Sequence, residues 1–193
     1  MKQHKNTQLD RLSDLADDLI QHILSFLDAK YAVQTCVLSK RWVNLWSDLT
    51  VFNFYYHHST SAVGFRAFKQ FIANVLDHCN TSQVIAFRLC NDANGADLGQ
   101  PLINKIVNFA VSDSLQELDL SFSLSGYGAF HVLPARIFSR RSLKILKLKN
   151  FSDFGRLPNS QYVDLFPSCI NLQHLVLENV GIEVSNVFNI SAP

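Results

Sequence analysis

Residues 115–120 read Leu115-Gln116-Glu117-Leu118-Asp119-Leu120, and the L-x-x-L-x-L spacing returns as Leu143-x-x-Leu146-x-Leu148 and Leu172-x-x-Leu175-x-Leu177. The offsets are 28 and 29 residues (143 − 115 and 172 − 143), and a weaker copy, Val84-x-x-Phe87-x-Leu89, lies 31 residues upstream (115 − 84). One such hexamer says only that an amphipathic strand is present. Three at near-constant spacing, plus a diverged fourth, match the roughly 20–29-residue class of stacked, leucine-bearing units. Each unit supplies a short strand whose leucines need a neighbouring unit for burial, so the strands stack in parallel.

Side chains alternate along a strand, so the residues between the leucines share the opposite face. Parallel register then arranges them in three columns: Ala86, Glu117, Ile145, His174; Arg88, Asp119, Lys147, Val176; and Cys90, Ser121, Lys149, Glu178. The middle column alternates in sign, which reads either as mutual neutralisation or as a mixed-charge patch that contacts another protein. Return segments fit between the strands. Pro101 suits the first turn of a helix carrying Leu102, Ile103, Ile106, Val107 and Ala110. Leu133–Phe138 and Tyr162–Pro167 read as shorter turns. A further strand falls due near residue ~200, beyond Pro193, so the expectation is a shortened array, with Gly181–Val184 folded over the last strand as the alternative.

Upstream of the repeats the pattern changes. Leu49–Tyr56 is β-branched and aromatic, a strand, and Phe65, Phe68, Ile72, Val75, Leu76 and Cys79 recur at helical spacing. Before these, residues 10–46 read as three short helices. Ser13 or Asp14 is the expected cap of the first, with Asp17 and Asp18 in its opening turn. The second runs Lys30–Val37, and the third follows Ser39 as N-cap. The first helix carries two apolar stripes, Leu19-Ile23-Phe26 and Ile20-Leu24-Leu27, wider than one-sided packing requires. Three such helices cannot bury them alone. Either the rest of the chain covers them or a separate protein does, and the pattern leaves open which stripe faces outward.

Asp10-Arg11-Leu12-Ser13-Asp14-Leu15-Ala16-Asp17-Asp18-Leu19-Ile20-Gln21-His22-Ile23-Leu24-Ser25-Phe26-Leu27 resembles the opening of an F-box. Val37-Leu38-Ser39-Lys40-Arg41-Trp42-Val43-Asn44-Leu45-Trp46 resembles its closing segment in plant F-box proteins. Phe166-Pro167-Ser168-Cys169-Ile170-Asn171-Leu172, and Leu133-Pro134 ahead of Ser142-Leu143-Lys144, resemble plant F-box/leucine-rich-repeat proteins, including the F-box/FBD/LRR type. The resemblance implies a substrate-receptor subunit of an SCF-type cullin–RING ubiquitin ligase. Its F-box would dock on the Skp-type adaptor, and through it on cullin, while the repeats bind a target protein. The docking residues it implies, with the stripe geometry, are Leu15, Ile20, Leu24, Leu38 and Trp42. The target face is Arg88, Glu117, Asp119, Ile145, Lys147, His174 and Val176. A leucine-rich scaffold, or a truncated competitor that occupies adaptors without recruiting a target, is the alternative.

Two departures from the family pattern stand out. Leu15-Ala16 replaces the usual Leu-Pro, which implies weakened docking. The family asparagine three residues after the last leucine is missing at Ser123, Phe151 and Val180, which implies a less regular solenoid.

The fold class expected is therefore an α+β repeat protein: a three-helix F-box at 10–47, a linking strand and amphipathic helix at 48–82, and a short irregular leucine-rich-repeat α/β solenoid of about four parallel-stranded repeats at 83–193. Composition agrees with an interaction protein. Only 17% of the 193 residues are charged, against about 25% in an average domain, while 48% are hydrophobic and 15 are Phe. A net charge of +1 offers no field for nucleic acid or anionic lipid. No stretch reads as a secretory signal or membrane span.

The four cysteines show no Cys-x-x-Cys, read as reduced thiols, and place the chain in cytoplasm or nucleus. No catalytic, cofactor or metal site is expected. His57 and His58 point to opposite sides of a strand end, and Gly126-Tyr127-Gly128 lacks the third glycine of a phosphate cradle. There is no G-x-S-x-G elbow, and Arg140-Arg141-x-x-Lys144-x-x-Lys147-x-Lys149 reads as a solvated face.

Overall fold

The computed structural model describes residues 12, 14–57, 62–79, 83–92, 97–110, 112–122, 133–151, 162–164, 166, 168–180 and 187–189. Expectations on Ser13, His58, Ser123, Gly126–Gly128 and Gly181–Val184 lie outside them.

Three short helices come first: α1 (Asp17–Ser25), α2 (Ala29–Gln34, continued by a 3₁₀ turn at Thr35–Val37) and α3 (Lys40–Ser47). The N-cap of α1 is Ala16, with no side-chain cap, rather than Ser13 or Asp14. Its first turn is served instead by Asp17 and Asp18 at the positive end of the helix dipole. Arg41 of α3 reaches back to both the Asp17 carboxylate and the Leu15 carbonyl, and so ties α3 to the entry of α1. The carboxylate of Asp28 caps α2 by accepting from Lys30 N at 2.7 Å.

β1 (Val51–Tyr56) leads through α4 (Ala62–His78) to β2 (Ala86–Asn91), and α5 (Gln100–Ala110) leads to β3 (Glu117–Phe122). A 3₁₀ turn (Ala135–Ser139) precedes β4 (Ile145–Lys149), followed by β5 (Tyr162–Asp164), β6 (His174–Glu178) and β7 (Val187–Asn189). Five strands form one parallel sheet in the order β1-β2-β3-β4-β6. The register is the one the spacing predicts: Ala86, Glu117, Ile145 and His174 stand abreast, as do Arg88, Asp119, Lys147 and Val176. At each strand entry two successive N–H groups converge on one carbonyl of the preceding strand. Ile85 and Ala86 bind Thr50 O, Gln116 and Glu117 bind Ile85 O, Lys144 and Ile145 bind Gln116 O, and Gln173 and His174 bind Lys144 O.

Tyr162–Asp164 corrects the reading of a return turn, because it is a strand paired in parallel with β7. The linking strand 51–56 proves to be the first strand of the main sheet, in register with β2 from Val51 opposite Ala86.

The inward leucines Leu115, Leu118, Leu120, Leu143, Leu146 and Leu148 are fully buried, and α4 and α5 cover them with Ile72, Val75, Ile103, Ile106 and Val107. Ile20, Leu24, Trp42 and Leu45 belong to the same cluster, with Phe52 and Phe54 between them and the repeats. The helical module is therefore fused to the sheet.

After Leu148 and Leu177 the asparagine missing at the third position is supplied one residue earlier, whereas Leu120 has Phe122 there. Asn150 and Asn179 adopt φ of 61° and 50°, a left-handed conformation asparagine tolerates. The Asn150 amide donates to Phe122 O, and Asn179 Nδ2 donates to Asn150 Oδ1 at 3.1 Å, which ties successive turns together. Among the described residues no helix is long and apolar enough to cross a membrane.

Candidate docking face and repeat surface

At about 100° per residue, the apolar residues of α1 span one continuous arc of roughly 160°. The structure divides that arc in two. Ile20 and Leu24 are 0% and 1% exposed, packed with Trp42 and Leu45 of α3 and with β1. Leu19, Ile23 and Phe26 are 50%, 43% and 74% exposed. Next to the α2–α3 junction, Val37 and Leu38 are 86% and 57% exposed. A free apolar face therefore exists, but three residues expected on it are elsewhere: Ile20, Leu24 and Trp42 (5% exposed) serve the core. Leu38 is on the open side, and Leu15 is half-buried against the core cluster. Leu19, Ile23, Phe26 and Val37 take the vacated places. No pattern within α1 separates its two stripes; the divider is β1, which lies beneath one of them.

Ala16 has φ −65° and ψ 151°, the value of φ that a proline ring imposes. Ala16→Pro is therefore expected to raise stability by about 0.4–1 kcal/mol through the unfolded chain, read as the shift of a urea midpoint at unchanged slope.

On the repeat surface the charges pair off. Arg88, expected opposite Asp119, instead grips Glu117 with two bonds, Nε to Oε1 at 2.8 Å and Nη2 to Oε2 at 2.5 Å. Its Nη1 donates to Asn53 Oδ1 at 2.9 Å, and Asn53 Nδ2 donates to Ser25 O at 2.8 Å and Leu27 O at 3.2 Å. The Asp28 carboxylate also accepts from Tyr55 N at 3.0 Å, occupying an N–H on the outer edge of the sheet. These bonds join the end of α1 to the first three strands.

Asp119 accepts from Ser121 Oγ at 3.0 Å and faces Lys147 Nζ at 3.7 Å, while Lys149 pairs with Glu178 at 2.9 Å. Arg140 pairs with Asp113 at 2.9 Å, so much of the basic stretch is neutralised locally. Arg88, Glu117, Asp119 and Lys147 are thus committed to one another or to the helical module. Ile145, His174 and Val176 remain as the part of the expected target face without such ties; Val176 and His174 are exposed on β6.

The hydrogen bonds from Arg88 hold the Glu117 carboxyl below the usual range, against the opposing effect of burial. A depressed folded-state pKa contributes stability above the unfolded value, and that contribution is lost as pH falls through the folded one. Glu117→Gln should therefore flatten the loss of stability between neutral pH and the acid side of the ordinary carboxylate range, measured by urea melts at stepped pH.

All four cysteines are free. Burial pushes Cys79 up to about 12 and Cys90 up to about 11, so both thiols stay protonated at neutral pH. Among the described residues no group of three or more His, Cys, Asp or Glu could hold a metal ion.

Fold and surface together define a class: a short helical module with an open apolar face, built onto the first strand of a parallel, repeat-derived sheet. Residues 12–54 match the F-box domain. The chain is 29% identical over 182 residues to F-box/LRR-repeat protein At3g03360 of Arabidopsis thaliana, covering 92% of this chain and 34% of that one. It is 31% identical to F-box/LRR-repeat protein 13 of the same plant (92% of this chain, 42% of that one). It is 32% identical to F-box/FBD/LRR-repeat protein At4g26340 (74% and 33%). The chain therefore carries an F-box domain and has Arabidopsis F-box/LRR and F-box/FBD/LRR homologues over most of its length, and it spans about a third to two fifths of these relatives. No solved structure matches it.

Proposed function

We propose that this chain acts as a non-catalytic substrate receptor of an SCF-type cullin–RING ubiquitin ligase, in cytoplasm or nucleus. The exposed face of Leu19, Ile23, Phe26, Val37 and Leu38 docks on a Skp-type adaptor, which links the chain to cullin. The repeat sheet presents the target, with Ile145, His174 and Val176 as the contacts that remain uncommitted. Ubiquitin transfer belongs to other subunits. The observation that carries this reading is the open half of the α1 arc, because large apolar side chains left in water on an F-box helix ask for a partner.

Co-purification with a recombinant Skp-type adaptor tests the docking step, and Ala16→Pro should tighten it; unchanged or weaker binding would contradict the role given to that position. A reconstituted ligase then separates receptor from competitor. A receptor promotes target ubiquitylation, whereas a chain that only occupies adaptors suppresses it.

A further inference from the structure

We propose that the cleft between α2, the C-terminal end of β1 and α4 binds a small, neutral, largely apolar ring compound that carries one hydrogen-bonding group. The cleft measures ≈ 620 Å³, inside the range of about 300–1,000 Å³ typical of small-molecule sites. Three elements wall it: Val33 from α2, Tyr55 and Tyr56 from β1, and Phe68 and Phe71 from α4. Its origin is visible in α4. Gly64 and Ala67 share a face with Phe68 and Phe71, and their small size leaves room where larger residues would close the gap toward α2.

Two observations specify the ligand. Tyr56 lines the cleft and is 9% exposed, yet its hydroxyl is buried with no hydrogen-bond partner among the described residues. A buried phenol without a partner is costly, and a ligand whose entry shifts the Tyr56 ring enough to uncover the hydroxyl would relieve it with an oxygen or nitrogen. The charged groups at the cleft, Asp28 and Lys30, are opposite in sign, and the Asp28 carboxylate is already occupied by Lys30 N and Tyr55 N. His57, also on the wall, faces the Asp92 carboxylate at 3.4 Å, so the cleft favours no ion of either sign, and apart from Gln34 the remaining wall is apolar. The cleft shares no lining residue with the face proposed for adaptor docking, Leu19, Ile23, Phe26, Val37 and Leu38.

The test titrates the whole chain with 6-propionyl-2-(dimethylamino)naphthalene, a neutral dye with two fused rings and one ketone oxygen. Saturable single-site binding with a blue-shifted emission is expected. Ala67→Phe, at an exposed position on the wall, should fill the space and abolish the shift while leaving the circular dichroism spectrum intact. Tyr56→Phe should weaken binding by about threefold to tenfold with an equal or higher melting temperature. Phe26→Asp should leave binding unchanged. The proposal is overturned by non-saturable binding, by survival of the signal in Ala67→Phe, or by its loss in Phe26→Asp. It is equally overturned if Tyr56→Phe lowers the melting temperature without weakening the dye.

Discussion

An Ile23→Asp chain should fold normally and lose the Skp-type adaptor, whereas an Ile20→Asp chain, altered three residues away on the same helix, should not fold. Ile23 is 43% exposed and Ile20 is 0% exposed, so one carboxylate stays in water while the other enters the core beside Leu24, Trp42 and Leu45. An unpaired buried charge costs several kcal/mol, comparable with a total stability of about 5–15 kcal/mol. At the docking face the same carboxylate costs nothing until a partner covers it. Central apolar anchors in interfaces contribute about 2–4 kcal/mol each, equivalent to a loss of roughly 30- to 1,000-fold in affinity.

Thermal melts followed by circular dichroism and titration calorimetry with the adaptor read the two effects separately. Phe26→Asp should repeat the Ile23 result. If both variants bind the adaptor as tightly as the parent chain, this face is not the docking surface.

The sheet was legible because strand side chains alternate and parallel repeats keep register, so three hexamers and their diverged fourth copy placed three columns of residues correctly. Its first strand was less visible although the pattern is there. Leu49-x-x-Phe52-x-Phe54 has the same spacing with aromatics in place of leucines, and all three are buried. That spacing places β1 in the sheet beside β2, under one stripe of α1.

Partners of individual charges were harder to read. Arg88 stands opposite Asp119 in register but bonds Glu117, whose longer side chain offers both oxygens to the guanidinium fork while Lys147 takes Asp119. The asparagine ladder stands one residue before the family position, because the left-handed turn at Asn150 and Asn179 comes immediately after the strand. β5 and β7 are three residues each, too short for any period to register.

Asn53 joins the two halves of the molecule, and replacing it should separate their unfolding. Its amide donates to the Ser25 and Leu27 carbonyls at the end of α1, and its oxygen accepts from Arg88, itself held by Glu117. Asn53→Asp preserves the acceptor for Arg88 but removes both donors and turns a carboxylate toward two carbonyl oxygens. Each buried group left without its partner costs about 1–3 kcal/mol, so a loss of roughly 2–6 kcal/mol is expected for the pair.

The loss falls on the attachment of α1, because the repeat leucines keep their own contacts. Both tryptophans, Trp42 and Trp46, lie in the helical module, so fluorescence reports that module while far-ultraviolet circular dichroism also reports the sheet. In the parent chain, where one apolar cluster runs from Ile20 to Cys169, the two signals should change together with urea. In Asn53→Asp the fluorescence transition should come first. Coincident transitions at an unchanged midpoint would mean that apolar packing alone fixes the helical module to the sheet and that the polar chain from Glu117 to Ser25 contributes nothing to the joint.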